Sequence, residues 1–248
     1  MTNNLKIIYF FYNLREKTPR FLIKLIPKII RRKFSKKIFR FYFLHSKEVN
    51  LPNLNYVSEA NDDHQKDLIA KFNKTKKRSS FMTSPNLIQL LLMKFKNTEE
   101  FSFLDFGGES IDFYLELNKH FKNVKYFLFN LEEINETFMR IKNQFNFNNL
   151  FVISNFEELY NNKFNFVNFG SCIQYVDNYD IVLDKITDNS QFVYFSGTHL
   201  YTSSNKIFSN KIVVKQVNTY PEINYLYFFN EEKFYEIFKK KNFHLLFE

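Results

Sequence analysis

Several residue types are scarce in this 248-residue sequence, which has four glycines, one cysteine and no tryptophan. The single cysteine, Cys172, excludes an internal disulfide and is typical of a protein in the reducing cytoplasm. No apolar run reaches the roughly 18 residues that a membrane-spanning helix requires. We therefore expect a cytoplasmic protein without a transmembrane helix, in which the few glycines stand where the backbone needs them.

Apolar and aromatic residues are plentiful instead, with 34 phenylalanines and 15 tyrosines. A chain of this length can bury a large core, so the composition excludes a protein that is disordered throughout. The length allows one large domain, or one domain with an extension.

Positive charge is concentrated at the N-terminus. The first 50 residues hold 13 Lys or Arg against Glu16 and Glu48, a net charge of +11, while the remaining 22 basic and 24 acidic residues give −2. Apolar residues recur at helical spacing between these bases, with a break at Pro27. The pattern predicts a basic amphipathic helical extension over residues 1–50.

Three roles for this extension stay open. It can be a surface helix docked on its own domain, or it can attach peripherally to an anionic membrane surface at the inner face of the membrane. Nucleic acid is the least favoured partner, because no recognisable nucleic-acid motif accompanies the charge.

A helical lead-in is predicted over residues 51–97. Its acidic start, Asp62–His64, is typical of the first turn of a helix, and adjacent residues converge poorly on one metal ion, so no metal site is predicted. A second helix begins with Ser84 as cap and Pro85 in the first turn.

The rest of the chain, residues 98–248, alternates strands and helices. Five short apolar runs read as strands, at residues 101–106, 124–130, 150–154, 164–169 and 191–196. Such repetition predicts an α/β fold with a mostly parallel sheet and helices on both faces. Ligands in these sheets bind at the carboxyl ends of the strands, near the point where the strand order reverses. A β-hairpin insertion is predicted at about residues 206–229.

The glycines follow three of the five predicted strands. Gly107 and Gly108 come after the first strand, Gly170 after the fourth and Gly197 after the fifth. Ordinary turns also prefer glycine, but the second and third strands end without one. We therefore predict that these glycines form a ligand-binding edge, where a ligand approaches the backbone closely.

Two motifs carry a resemblance to a known family. The stretch "FLDFGGES" resembles the first motif of class I S-adenosylmethionine-dependent methyltransferases, and "NFVNFGSCIQYVDNYD" is similar to their fourth-strand motif. More narrowly, the run through "FVYFSGTHL" and "VVKQVNTYPEINYLYFFN" resembles an uncharacterised group of bacterial methyltransferase-like proteins, often encoded beside surface-polysaccharide genes, and the resemblance covers roughly residues 86–248. The resemblance implies a Rossmann-like class I methyltransferase sheet and S-adenosylmethionine as cofactor. It implies cofactor contacts by Asp105, Phe106, Gly107, Gly108, Glu109, Asn130, Asn155, Gly170, Ser171 and Gln174.

The sequence departs from the family pattern at three places. Ser110 or Ile111 replaces the usual third glycine. Asn130 stands where an acid normally accepts hydrogen bonds from the ribose hydroxyls, so we expect Asn130→Asp to strengthen binding if that position meets the ribose. The last residues, "NFHLLFE", read as one strand where the superfamily has an antiparallel pair, so the closing strand pair is expected to be incomplete.

The resemblance implies an enzyme that methylates a sugar or a lipid-linked saccharide in surface-polysaccharide biosynthesis. His199 and Tyr175 are the candidate catalytic residues, although a base is needed only if the acceptor must lose a proton. Cys172 reads as a small buried residue, since no basic partner is evident. A non-catalytic protein that uses its basic N-terminus in a membrane-associated assembly is the alternative. Two features argue against the interpretation as a dinucleotide-binding Rossmann domain: the sequence has no G-x-G-x-x-G motif, and a helical segment precedes the first strand.

Overall fold

The computed structural model describes residues 42–44, 62–74, 85–96, 100–202, 210–216 and 224–246. Within the predicted helical extension, the described residues Tyr42–Leu44 form a short strand, β1. This part of the prediction is wrong because β1 pairs antiparallel with a later strand, which fixes its aromatic and apolar residues in a sheet. The rest of residues 1–50 lies outside the described residues.

A five-stranded parallel sheet forms the centre of the fold. Its strands are β2 (Phe101–Phe106), β3 (Val124–Phe129), β4 (Leu150–Ile153), β5 (Phe164–Gly170) and β6 (Ser190–Ser196). The strand order is β4-β3-β2-β5-β6, and every neighbouring pair is parallel. From β2, the chain adds β3 and β4 on one side and then β5 and β6 on the other. The order of the strands therefore reverses between β2 and β5, which is the topological switch point of the sheet.

Helices cover both faces of this sheet. They are α1 (Asp62–Lys74), α2 (Pro85–Phe95), α3 (Asp112–His120), α4 (Glu132–Phe145), α5 (Phe156–Asn161), α6 (Tyr179–Asp188) and α7 (Glu231–Lys239), with a 3₁₀ turn at Ile173–Tyr175. The predicted α/β fold with helices on both sides is confirmed. In the described part of the chain, no helix is long and apolar enough to cross a membrane.

Alternation along β2 separates the core into two layers. Phe101 and Phe103 pack with the apolar faces of α1 to α4. Leu104 and Phe106 point to the opposite face, where α5, α6 and α7 pack. Side chains along a strand alternate between faces, so one short strand anchors both layers.

A second sheet of four strands contains the region of the predicted hairpin. Its order is β1-β8-β9-β7, where β7 is Leu200–Tyr201, β8 is Lys211–Gln216 and β9 is Asn224–Asn230. Strands β8 and β9 pair antiparallel, and residues 217–223 between them lie outside the described residues. The domain boundaries drawn from the sequence stay predictions.

The central sheet has no antiparallel closing pair among the residues that the structure describes. The strand predicted at the C-terminus is wrong, because residues 243–246 are not in a strand and Leu245 is 64% exposed. The chain leaves α7 through a turn that includes Asn242, whose φ is 60°. No strand edge pairs with the described part of this segment, and Phe243 instead packs its ring on Phe238 of α7, with 6.3 Å between centroids.

Candidate functional site

A cavity of about 790 Å³ opens at the carboxyl ends of the central strands. Its walls come from the turn after β2, the end of β3, the end of β5 and the 3₁₀ turn that follows. This is the switch point of the sheet, where α/β folds bind their ligands. The volume falls in the range of small-molecule and cofactor sites.

The turn after β2 depends on its two glycines. Gly107 has φ +78°, and a Cβ added there would lie 2.5 Å from the Cβ of Cys172. A Cβ on Gly108 would run into the carboxylate of Asp105, 2.7 Å from its Cγ. Both positions therefore exclude a side chain, and the amide of Gly107 is held by a 2.7 Å hydrogen bond to the carbonyl oxygen of Phe129.

Asp105 lies beneath this turn as a buried carboxyl group. Its Oδ2 accepts a hydrogen bond from the Tyr126 hydroxyl at 2.6 Å, and its Oδ1 accepts one from the Asn168 amide at 2.8 Å. Burial raises the pKa of Asp105 above its ordinary value, although both hydrogen bonds act against the rise. The three residues come from β2, β3 and β5, so only the assembled sheet brings them together.

Asn168 is a site residue that sequence analysis missed. It lines the cavity and is only 8% exposed. Its Oδ1 is buried and has no hydrogen-bond partner among the described residues. A buried acceptor left unpaired costs about 1–3 kcal/mol, so a donor from a bound ligand is the expected partner. The signal in the sequence is a polar residue inside the apolar strand "FNFVNFG".

Asn130 lies at the end of β3 and lines the cavity, but both polar atoms of its side-chain amide already form hydrogen bonds within the protein. The side-chain nitrogen donates to the carbonyl oxygen of Gly108 at 2.8 Å, and the side-chain oxygen accepts from the backbone amide of Leu131 at 2.7 Å. Asn130 therefore holds the glycine turn against the neighbouring strand. This geometry argues against the expectation that an acid at position 130 would improve binding, because a carboxylate cannot donate to Gly108.

Four other predicted cofactor contacts also line the cavity, namely Phe106, Glu109, Gly170 and Ser171. Ser171 has φ 55°, an uncommon conformation for a residue with a side chain. Its amide donates to the carbonyl oxygen of Ser196 at 2.7 Å, which ties the ends of β5 and β6 together. The binding roles of these residues stay predictions.

Two predicted contacts lie away from the described walls of the cavity. Asn155 is exposed and caps α5, since its side-chain oxygen accepts from the amide of Glu158 at 2.9 Å. Gln174 is buried, and its side-chain nitrogen donates to the carbonyl oxygen of Ser171 at 2.7 Å. Gln174 therefore supports the turn that lines the cavity instead of forming the wall itself.

The two candidate catalytic residues have different positions. Tyr175 lines the cavity. His199 is not among the described residues of the wall, and its ring packs on Phe228 with 4.7 Å between centroids. Burial lowers the pKa of His199, which favours the neutral imidazole. A catalytic role for either residue stays a prediction.

Cys172 lines the cavity as a thiol that donates to the carbonyl oxygen of Phe106 at 2.9 Å. Burial raises its pKa well above the ordinary value. The thiol is therefore protonated at neutral pH, which disfavours a nucleophilic role. Among the described residues, no group of three or more His, Cys, Asp or Glu side chains is placed to hold a metal ion.

Gln65 on α1 holds the loop that follows the glycine turn. Its fully buried amide donates to the carbonyl oxygen of Glu109 at 2.9 Å and accepts from the backbone amide of Ile111 at 2.8 Å. A bidentate salt bridge between Asp62 of α1 and Arg140 of α4 also joins this helix to α4. Sequence analysis placed the helix but assigned no role to Gln65, because nothing local identifies a partner 44 residues away.

No protein-family model and no curated protein matches the chain. Among solved structures, 119 chains match. One is coclaurine N-methyltransferase bound to N-methylheliamine and SAH, with 15% identity and a TM-score of 0.35 over 48% of this chain; the chain covers 38% of that protein.

Two further matches cover more of the chain. The N-terminal domain of EvdMO1 in the presence of SAH and D-fucose has 12% identity and a TM-score of 0.44, over 86% of this chain and 85% of that one. An S-adenosylmethionine-dependent methyltransferase from Clostridium acetobutylicum ATCC 824 has 12% identity and a TM-score of 0.42, over 73% of this chain and 89% of that one. These values are low, so what the site binds must follow from its own residues.

Proposed function

We propose that the chain is a methyltransferase that binds S-adenosylmethionine in the cavity at the switch point. The observation that carries the proposal is the unpaired Oδ1 of Asn168, buried beside Asp105 at a glycine turn that excludes side chains. Such a site suits a ligand that brings a hydrogen-bond donor, such as the ammonium group of an amino acid. The motif resemblance around Asp105 and after β5 supports the same cofactor.

The residues of the site fit this cofactor in distinct ways. Gly107 and Gly108 allow close approach to the backbone, and Asn168 would accept a hydrogen bond from the ligand. The cofactor supplies a methyl group on a sulfonium, which a nucleophile of the acceptor displaces. The protein's part is to align the acceptor with that methyl group and to exclude water, so no general base is obligatory.

The acceptor in this proposal is a sugar or a lipid-linked saccharide of surface-polysaccharide biosynthesis. The support is the resemblance of the chain after residue 86 to the group found beside surface-polysaccharide genes. Two further observations support an acceptor site here: Tyr175 lines the cavity wall, and the second sheet adjoins the 3₁₀ turn that carries Tyr175.

Calorimetric titration of the full chain with S-adenosylmethionine and S-adenosylhomocysteine tests the proposal. We expect both to bind, and Asn168→Ala to weaken both by about ten-fold, the effect of losing one hydrogen bond to a charged donor. Asn162→Ala is the matched control, because Asn162 is a partly exposed asparagine that follows α5 and does not line the cavity. Failure of the folded wild-type chain to bind either compound at about 1 mM would overturn the proposal.

Transfer of a labelled methyl group to a saccharide fraction then tests catalysis. The second candidate function is a non-catalytic methyltransferase-like protein that acts in a membrane-surface assembly. The observation that favours it is Asn130, which stands where the family has a ribose-binding acid and whose side-chain nitrogen donates a hydrogen bond to the carbonyl oxygen of Gly108. That candidate predicts a folded chain that transfers no methyl group to any acceptor tested.

A further inference from the structure

The Asp, Glu, Lys, Arg and His residues that line the cavity are all acidic ones. They are Asp105, Glu109 and Asp112, and no Lys, Arg or His belongs to the described part of the wall. This contrasts with a chain whose formal net charge is +9. The local charge of the site is therefore opposite to that of the protein.

Aromatic rings form much of the remaining wall, namely Phe106, Phe113, Phe129, Phe156 and Tyr175. The face of an aromatic ring carries partial negative charge and attracts cations. Rings and carboxylates together give a cavity whose wall favours a positively charged ligand.

Asp112 acts on the interior of this cavity. It stands in the first turn of α3, and it has no salt-bridge partner in the described part of the chain. Its charge adds to the rise in the pKa of Asp105, which lines the cavity, and of the buried Tyr126 hydroxyl that donates to Asp105. The direct partners of Asp105, by contrast, are two neutral groups on Tyr126 and Asn168.

We infer that the cavity distinguishes the cationic cofactor from its neutral product by charge, with Asp112 as the residue that sets this preference. The inference rests on the proposed function. S-adenosylmethionine carries a sulfonium and an overall charge of +1, whereas S-adenosylhomocysteine is a thioether with no net charge. Loss of the positive charge on methyl transfer removes its attraction to Asp112 and the aromatic wall, and this favours release of the product.

The experiment compares two unreactive probes, sinefungin, which has a protonated amine near the position of the sulfonium, and S-adenosylhomocysteine. Affinities are measured for the wild-type chain, for Asp112→Asn and for Glu100→Gln at about 0.02 M and 0.5 M salt. We expect the wild type to prefer sinefungin, and Asp112→Asn to reduce that preference several-fold. Glu100→Gln is the control, since Glu100 is exposed before β2 at the far end of the sheet, and should leave the preference unchanged.

Because the two probes also differ in shape, the informative quantity is the change in their affinity ratio between variants. The salt dependence of the wild-type ratio gives a second measurement that needs no variant, and the preference should shrink at high salt. A ratio unaffected by Asp112→Asn, with both probes bound, would overturn the inference whatever its salt dependence and would leave the proposed function intact. A folded wild-type chain that binds neither probe would instead overturn the proposed function.

Discussion

The side-chain amide of Asn130 donates a hydrogen bond to the carbonyl oxygen of Gly108, with 2.8 Å between the two atoms. The bond joins the end of β3 to the turn after β2. The other atom of the amide, its oxygen, accepts from the backbone of Leu131, so the orientation of the side chain is fixed from both sides. Asn130 therefore shapes the cavity from a position where a free acceptor was expected.

Asn130→Asp is predicted to weaken binding of S-adenosylhomocysteine at neutral pH. The new carboxylate would face the carbonyl oxygen of Gly108 and could not donate to it, whereas the protonated acid could. The loss should therefore diminish as the pH falls toward the ordinary pKa of an aspartate, about 3.9. Titrations at several pH values, with Asn162→Asp as the control, check this expectation. Tighter binding by Asn130→Asp would mean that position 130 meets the ribose.

Gly107→Ala is predicted to destabilise the fold and to abolish cofactor binding. The substitution places a side chain at φ +78° and 2.5 Å from the Cβ of Cys172. The positive φ alone costs about 1–2 kcal/mol, and the steric overlap adds to it. Gly170→Ala is the matched control, because its nearest neighbour atom would lie at 3.4 Å and its φ is not positive. Equal urea-unfolding midpoints for the two variants would contradict this account of the turn.

Asp105→Asn is predicted to flatten the pH dependence of stability. Burial raises the pKa of Asp105 in the folded chain, so the native state holds its proton more tightly than the unfolded state does. The stability that this proton contributes is complete below the unfolded pKa and is lost as the pH rises through the raised, folded pKa. Relative to Asp105→Asn, the free energy of unfolding of the wild type should fall as the pH rises from the ordinary aspartate pKa of about 3.9 toward neutral pH.

Urea unfolding of both proteins across that range measures the difference. The variant should also bind S-adenosylmethionine more weakly, because the oxygen of an amide can accept from only one of Tyr126 and Asn168, whereas the two carboxyl oxygens of Asp105 accept from both. A wild type whose stability relative to the variant rises with pH would show that ionised Asp105 is stabilised in the fold.

Gln65→Ala is predicted to weaken cofactor binding although Gln65 does not line the cavity. Its removal leaves the carbonyl oxygen of Glu109 and the amide of Ile111 without their partner, at a cost of about 1–3 kcal/mol for each buried group left unsatisfied. Gln89→Ala, an exposed glutamine on α2, is the control. Thermal unfolding and titration with S-adenosylhomocysteine measure both effects. Unchanged affinity in a folded Gln65→Ala chain would show that the loop holds its shape without the clamp.

The sequence by itself determined the central sheet and the edge at which the cavity lies. Strands such as Phe101–Phe106 are short apolar runs between helical segments. This alternation is a local property of the sequence, so it can be recognised without knowledge of the fold. The glycines were informative for the same reason, since the need for a positive φ at Gly107 depends on the backbone of that residue alone. Parallel strands place their carboxyl ends together, so the edge followed from the order of the elements.

Only the tertiary structure decided how the site is built. The contact between Asp105 and Asn168 joins residues 63 positions apart, and the clamp by Gln65 on Ile111 joins residues 46 apart. No periodicity records such pairs, because they arise where separate strands and helices meet. The same limit explains β1, which is a strand through its pairing with β8, and residues 243–246, which have a strand-like pattern but no described edge to pair with. A backbone segment becomes part of a sheet only when a neighbouring strand satisfies its hydrogen bonds, and that neighbour is a property of the folded chain.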